Sequence, residues 1–344
     1  HRSTQQEIYE EFQFYDRNVM LYPAKDLIFF QADIHGNKLT TERVKVLKRM
    51  AEGKPFTLVT TFAALMTPQT AWNIEEDTVF IDKKTIVEEG TLARRLTSMG
   101  YVKNYQAESP GQFSIRGGII DIFDVTEENP YRIELWGEEV ESIRSFDSLS
   151  QRSIEQLSSV RIYPAAEFVL SKEAVRTGLD KIEKEADKQA AYFKESFKTE
   201  EAARIVSQIK ELKEQVLEFG NLSVLEGYIR YFYEECRLKS LAGLLPDGHC
   251  LFLDEPARIR EHANAVETEF RESMGQRARK GYILPGQMDV LYSVEQTSAV
   301  IQRSPFVTLA AIDLKNPLIK VQKHFDIPVK SISSYNNSFE ALVK

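Results

Sequence analysis

Two arginines and a tryptophan are the side chains of this sequence whose types and spacing suit the recognition of another protein. Arg132 and Trp136 lie four residues apart, and Arg116 stands sixteen residues before Arg132. A guanidinium group forms paired hydrogen bonds with a carboxylate, and an indole ring covers a large apolar area. Because Arg and Trp are enriched among residues that dominate binding energy, these three form a candidate protein-binding site.

The pattern around these residues predicts β-strands that set the three side chains on one polar sheet face. In residues 112–116 apolar and polar residues alternate, so Arg116 points away from the apolar layer. In residues 131–136 the same alternation buries every second residue and leaves Arg132 and Trp136 together on the polar side. At about 3.4 Å per residue these two lie roughly 14 Å apart, and we expect a neighbouring strand to bring Arg116 between or beside them.

A second interpretation of this face stays open on composition alone. Half-buried antiparallel sheets carry a solvated face, where arginines usually serve only solubility. Trp136 favours binding, because an exposed tryptophan adds little to the stability of a monomer and is typical of an interaction surface. The residues by themselves therefore leave binding and solvation as two alternatives.

Residue patterns for nucleotide, metal and nucleophilic chemistry are missing from the sequence. The 16 glycines form neither GxxxxGKS/T nor GxGxxG, the five histidines are scattered, and Cys236 and Cys250 lack metal-site spacing. An apolar run ends in Asp254, Glu255 and Pro256, which is similar to the acidic pair that holds Mg²⁺ in P-loop ATPases. Acidic residues and proline are also favoured where a helix begins, and this interpretation is preferred. We therefore predict no catalytic residue, no cofactor and no metal site in this chain.

Charge and composition limit the remaining classes of function. The chain has 52 acidic and 44 basic residues and a net charge of -8, which argues against a protein built mainly to coat phosphate backbones. The alternative nucleic-acid site is a basic cluster, which we expect in a charged loop after a helix at residues 257–273. The cluster consists of Arg271, Arg277, Arg279 and Lys280. No apolar run of about 18 residues and no signal peptide pattern occurs, which predicts a cytoplasmic protein without a membrane segment.

The length of 344 residues predicts two or three domains. Residues 1–77 alternate helix and strand patterns, with a buried parallel strand at 55–60, and form the first part of a predicted α/β domain. Residues 78–165 form a predicted inserted α+β domain. Residues 166–344 begin with helices that pack by one apolar face and then return to α/β patterns, ending in a predicted strand at 327–332. We expect the two α/β segments to share one sheet.

Several runs in the inserted domain resemble a known family. They are residues 109–123 (SPGQFSIRGGIIDIF), 129–136 (NPYRIELW), 139–147 (EVESIRSFD) and 150–152 (SQR). The chain is similar there to the N-terminal UvrB-like module of the bacterial transcription-repair coupling factors. The match is specific over residues 109–152 and looser over the whole chain. The related UvrB carries a P-loop and also an aromatic-rich hairpin that engages damaged DNA. Residues 61–68 lead almost directly to residue 78, which leaves no room for that hairpin, so the resemblance is closer to the coupling factors.

The resemblance implies a helicase-like parallel-sheet domain of degenerate P-loop NTPase type, with an inserted UvrA-binding domain and a helical subdomain. It implies a non-catalytic adaptor of transcription-coupled nucleotide excision repair that recruits UvrA to stalled transcription complexes. The family's UvrA contacts fall on Arg116, Arg132 and Trp136, although the aromatic residue is more often phenylalanine. RNA polymerase binding, DNA binding and translocation with ATP and Mg belong to other regions of the family's proteins. The alternatives are a DNA-dependent ATPase fragment or a direct DNA-binding module.

Overall fold

The computed structural model describes residues 4–25, 36–218, 220–311 and 319–328, in which helices and strands are mixed along the chain. The α-helices in these ranges are α1 (Thr4–Phe12), α2 (Gly36–Ala51), α3 (Phe62–Leu65), α4 (Ile74–Asp77), α5 (Glu89–Ser98), α6 (Lys172–Glu195), α7 (Thr199–Leu217), α8 (Ile229–Phe232), α9 (Pro256–Arg279) and α10 (Val294–Arg303). The strands are β1 (Val19–Tyr22), β2 (Thr57–Thr60), β3 (Pro68–Gln69), β4 (Val79–Asp82), β5 (Val102–Lys103), β6 (Gln112–Arg116), β7 (Ile119–Ile122), β8 (Tyr131–Trp136), β9 (Glu139–Phe146), β10 (Ser153–Gln156), β11 (Ser159–Ile162), β12 (Lys239–Ser240), β13 (Leu251–Asp254) and β14 (Phe306–Leu309).

Two pairs of parallel strands belong to the α/β part of the molecule. Strand β1 pairs with β2, which confirms the predicted parallel strand at residues 55–60, and β13 pairs with β14. Helix α2 packs against β1 through Val44 and Leu47, which are buried as helical spacing places them on one face. The alternation of helix and strand predicted for residues 1–77 is therefore confirmed in the described residues.

In the described residues the expected common sheet of the two α/β segments is not seen, and it stays a prediction for the chain as a whole. There β1–β2 and β13–β14 are separate two-stranded sheets. The segments share a hydrophobic core instead, in which Tyr22 and Val44 of the first cluster with Leu253 and Ile301 of the second. The apolar residues of the sequence predict a common core, but they do not predict which strands exchange hydrogen bonds. Most of the predicted strand at 327–332 lies outside the described residues.

The segment after β4 forms a six-stranded sheet in the order β10-β9-β8-β7-β6-β5. Strand β5 is parallel to β6, and all other neighbours are antiparallel, so β6 to β10 form a meander. One face is apolar at its centre, where Ile120, Ile133 and Ile143 are buried with Leu92 and Leu96 of α5. Alternation in β6 to β9 turns most polar side chains to the opposite face, which also carries Ile119 beside Glu134.

Helices α6 and α7 pack against each other by one apolar face, as the sequence predicted. Ser171 begins α6, where its side chain accepts a hydrogen bond from the Ala174 N–H at 3.1 Å. The buried residues of the two helices include Leu179, Ile182, Phe193, Ile205, Ile209 and Leu212. None of the helices in the described part of the chain has the length and apolar character that a membrane span requires.

Helix α9 continues to Arg279, six residues beyond its predicted end at residue 273. It continues because Met274 lies one turn after Phe270 and is buried in the same core. The expected charged loop is therefore wrong for Arg277 and Arg279, whereas Lys280 follows the helix as its C-cap. The cluster residues on the helix itself are Arg271, Arg277 and Arg279.

A buried ion network connects the α/β part with the segment that follows the six-stranded sheet. The Arg43 Nε atom donates to both Glu167 carboxylate oxygens at 2.9 Å, and Lys25 pairs with Glu167 as well. The side chains of Arg43 and Glu167 are each only 1% exposed. Burial opposes ionisation of Glu167, but the charges of Arg43 and Lys25 outweigh it and hold the pKa of this carboxyl below its usual range.

Candidate protein-binding surface

Strands β6, β7 and β8 carry the candidate residues on the polar face of the sheet. The turn between β6 and β7 is Gly117-Gly118, with φ values of 56° and 82° that glycine adopts without steric cost. This tight hairpin makes β7 the neighbour of β6, and β7 pairs in turn with β8. In β8 the observed burial alternates as predicted, with Ile133 and Leu135 buried and Trp136 exposed at the strand end.

The register brings the three predicted residues to one face but not to neighbouring strands. Arg116 pairs with Ile119, and Ile119 pairs with Glu134, so Arg116 lies level with the middle of β8, between Arg132 and Trp136 along the strand. Because β7 intervenes, the expectation of a neighbouring strand is wrong. Arg116 stands two strand spacings, roughly 10 Å, from β8. The Gly117-Gly118 hairpin accounts for this separation, because it places β7 between β6 and β8.

Asp121 on β7 fills the space between the two arginines and was missed by sequence reasoning. Its Oδ1 accepts from Arg132 Nε at 2.6 Å, and its Oδ2 accepts from Arg132 Nη2 at 2.8 Å and from Arg116 Nη2 at 3.1 Å. The register sets Asp121 directly opposite Arg132. The signal was present in the sequence, because alternation in β7 places Asp121 on the face opposite Ile120 and Ile122.

Arg132 is held in the face rather than projecting from it. Its side chain is only 13% exposed, its guanidinium lies 4.2 Å from the centre of the Phe146 ring, and its Nη2 also donates to Gln151 Oε1 at 2.8 Å. Hydrogen bonds with Asp121 hold the pKa of Arg132 above its usual range. The predicted outward position is therefore correct for the face and wrong for the degree of exposure.

Arg116 is more open than Arg132 and is tied down less. Its side chain is 33% exposed, makes a single hydrogen bond to Asp121 and lies 5.4 Å from the centre of the Tyr105 ring. Its Nε atom is buried and has no hydrogen-bond acceptor among the described residues. Arg116 is therefore held less tightly than Arg132, and its guanidinium is the more accessible of the two.

Trp136 is the exposed apolar residue of this face. It ends β8, just before the turn at Gly137, and 80% of its surface is accessible to solvent. Between it and Arg132, Glu134 forms a paired ion bridge with Arg144, whose Nη1 donates to Oε2 at 2.8 Å. This bridge, chiefly by its hydrogen bonds from Arg144, holds the pKa of Glu134 below its usual range. An apolar anchor therefore stands beside side chains whose charges are already paired.

The acidic residues at the end of β13 lead directly into a helix, as expected of a helix start. Strand β13 ends at Asp254, Glu255 adopts a left-handed conformation with φ of 53°, and Pro256 is the first residue of α9. The Glu255 Oε1 atom accepts from the Ala311 N–H at 2.9 Å. Within the described residues no group of three or more His, Cys, Asp or Glu side chains is arranged to hold a metal ion.

Comparison with known proteins places the candidate surface inside a recognised domain. Residues 79–168 match the family described as the UvrB interaction domain. The chain is 36% identical over 273 residues to the transcription-repair-coupling factor of Bacillus subtilis, covering 78% of this chain and 22% of that protein. It is 26% identical over 324 residues to the transcription-repair-coupling factor of Staphylococcus epidermidis, covering 92% of this chain and 26% of that protein.

A second group of relatives carries a different name. The chain is 30% identical over 218 residues to UvrABC system protein B of Bacteroides fragilis, covering 61% of this chain and 31% of that protein. The chain thus spans between 22% and 31% of the length of these three relatives. All three candidate residues, together with Asp121, lie within the matched range of 79–168.

Proposed function

Because this chain contains a UvrB interaction domain and is related to the transcription-repair-coupling factors of DNA repair, we propose that it is a non-catalytic adaptor that docks UvrA and recruits it to stalled transcription complexes. The observation that carries the proposal is the polar sheet face inside that domain. It presents Arg116, Arg132 and Trp136 together, and Trp136 is 80% exposed.

Docking would use two kinds of contact on this face. Arg132 donates through Nε and Nη2 to Asp121 and Gln151. Among the described residues Nη1 makes no such hydrogen bond, so this atom would donate to a carboxylate of UvrA. Arg116 is 33% exposed and makes one hydrogen bond with Asp121, so its guanidinium would contact a second acidic group of UvrA. Trp136 would enter an apolar pocket, where a hot-spot side chain contributes about 2 kcal/mol or more.

The remainder of the chain would support and position this docking domain. We assign residues 1–77 and 166–344 to a helicase-like domain of degenerate P-loop type with a helical subdomain, and residues 78–165 to the insertion. The two parallel strand pairs and their common core support that assignment. Docking itself would require no cofactor and would take place in the cytoplasm. Contacts with RNA polymerase and DNA, and the use of ATP and Mg, would belong to other regions of a longer protein.

Binding of purified UvrA to single variants tests the proposal. Trp136→Ala should weaken binding by about 30-fold, which corresponds to about 2 kcal/mol, with no change in stability because the side chain is exposed. Arg132→Ala should weaken binding too. The matched control is Phe197→Ala, which removes a 94% exposed aromatic side chain from the loop between α6 and α7. Unchanged affinity in both Arg132→Ala and Trp136→Ala, measured by calorimetry, contradicts the assigned surface.

A further inference from the structure

A second exposed apolar side chain, Ile86, lies across the strand ladder from Trp136. Ile86 forms an antiparallel bridge with Glu139 at the beginning of β9, and the Val87 N–H donates to the Glu138 carbonyl at 2.8 Å. Glu139 pairs on its other side with Trp136. The three residues Ile86, Glu139 and Trp136 therefore form one row that crosses three adjacent backbone segments.

All three side chains of this row lie on the polar face of the sheet. Residues directly opposite each other in a ladder point to the same side, and the next residue along each strand points to the other. Val87 and Val140, which follow Ile86 and Glu139, are both buried in the apolar core on the opposite side. Ile86 is 63% exposed. With neighbouring strands about 4.8 Å apart, the Cα atoms of Ile86 and Trp136 lie roughly 10 Å from each other.

Single exposed apolar residues are ordinary on soluble proteins, so Ile86 alone would carry no argument. Here it shares a row with an exposed tryptophan, and that row continues the face that carries Arg116 and Arg132. Glu139 between the two apolar side chains is exposed and acidic. The face therefore changes from paired arginines at one side to an apolar strip with a central carboxylate at the other.

We propose that Ile86 and Trp136 form a two-residue apolar strip that receives an apolar ridge of UvrA, with Glu139 facing a basic side chain of UvrA. The inference rests on the proposed function and extends its surface across the sheet. The partner surface would present acidic groups to the arginines and a basic group to Glu139. Because the two ends of this surface carry opposite charges, UvrA could dock in only one orientation, and the apolar strip would contribute affinity.

The variant Ile86→Thr tests the strip, because threonine keeps the β-branched shape at an exposed strand position while removing apolar surface. We expect its affinity for UvrA to fall about fivefold or more, with unchanged circular dichroism and thermal midpoint. The matched control is Ile154→Thr, which makes the same change at an isoleucine that is 56% exposed on β10. The control should bind UvrA as the unaltered chain does.

The outcomes separate this inference from the proposed function. Wild-type affinity of Ile86→Thr together with weakened Trp136→Ala overturns the strip and leaves the docking surface in place. An equal loss in Ile86→Thr and Ile154→Thr also overturns it, because the effect would then be unrelated to position. Absence of UvrA binding by the unaltered chain overturns both. A loss in Ile86→Thr alone, smaller when Trp136→Ala is already present, supports the strip, since both side chains would contact one ridge.

Discussion

Asp121 should be the residue on which the order of the candidate surface depends, and Asp121→Ala is the perturbation that tests it. The carboxylate is 2% exposed and holds both arginines of the face. Removing it leaves Arg132, which is only 13% exposed, as a charge without its partner in a largely buried position. Removing one member of a buried ion pair costs about 3 to 5 kcal/mol, much more than the loss of an exposed pair.

The two arginines should not share this effect equally. Arg132 binds Asp121 through two hydrogen bonds of 2.6 and 2.8 Å and is nearly buried, so we expect a coupling energy of about 2 to 3 kcal/mol. Arg116 binds Asp121 through one hydrogen bond of 3.1 Å and is 33% exposed, so its coupling energy should remain below about 1 kcal/mol. The difference follows from burial and from the number of hydrogen bonds.

Two double-mutant cycles measure these couplings. One combines Asp121→Ala with Arg132→Ala, and the other combines it with Arg116→Ala. Hydrogen exchange of the amides in β7 and β8 measures the free energy of opening of this sheet. Global unfolding would not separate the sheet from the rest of a chain of this size. A coupling energy for Arg132 below about 0.5 kcal/mol, or one no larger than that for Arg116, would refute the reasoning.

Two further predictions concern the rest of the fold. Glu167→Gln should destabilise the α/β part by about 3 kcal/mol at pH 7, because it removes the charge that compensates buried Arg43. The folded state holds the pKa of Glu167 below its ordinary value of about 4.3, so the stability that this carboxylate contributes is present above that value and is lost as pH falls through the folded pKa. The variant lacks this titration, and its urea midpoint should therefore depend less on pH in the acidic range. Gly178→Ala should cost about 1 to 3 kcal/mol, because its Cβ would overlap the Phe232 ring, whereas Gly275→Ala, which has space in α9, should gain up to about 1 kcal/mol in the same unfolding assay.

The sequence predicted which face of the sheet each candidate residue occupies. Period-two alternation is a local property of one strand, and in β8 it placed Arg132 and Trp136 opposite the buried Ile133. The same rule holds for Arg116 in β6. Faces could therefore be predicted because no information about other strands was needed.

Burial within that face could not be predicted in the same way. Arg132 is covered by Asp121 of β7, Phe146 of β9 and Gln151 of the following loop, none of which adjoins it in sequence. Which strands are neighbours, and in which register, decides these contacts. Pairing between the strands of the two α/β segments could not be predicted either, because a shared core and a shared sheet produce the same apolar pattern.

These differences in burial decide which substitutions report contact with a partner. Arg132→Ala removes a donor and at the same time leaves Asp121 short of its main counter-charge, so a loss of UvrA affinity would combine a missing contact with a disordered face. Trp136 and Ile86 are exposed and support no described core, so their substitution changes contact area without that second effect. The apolar strip, rather than the arginine that the sequence singled out, is therefore the more direct probe of docking.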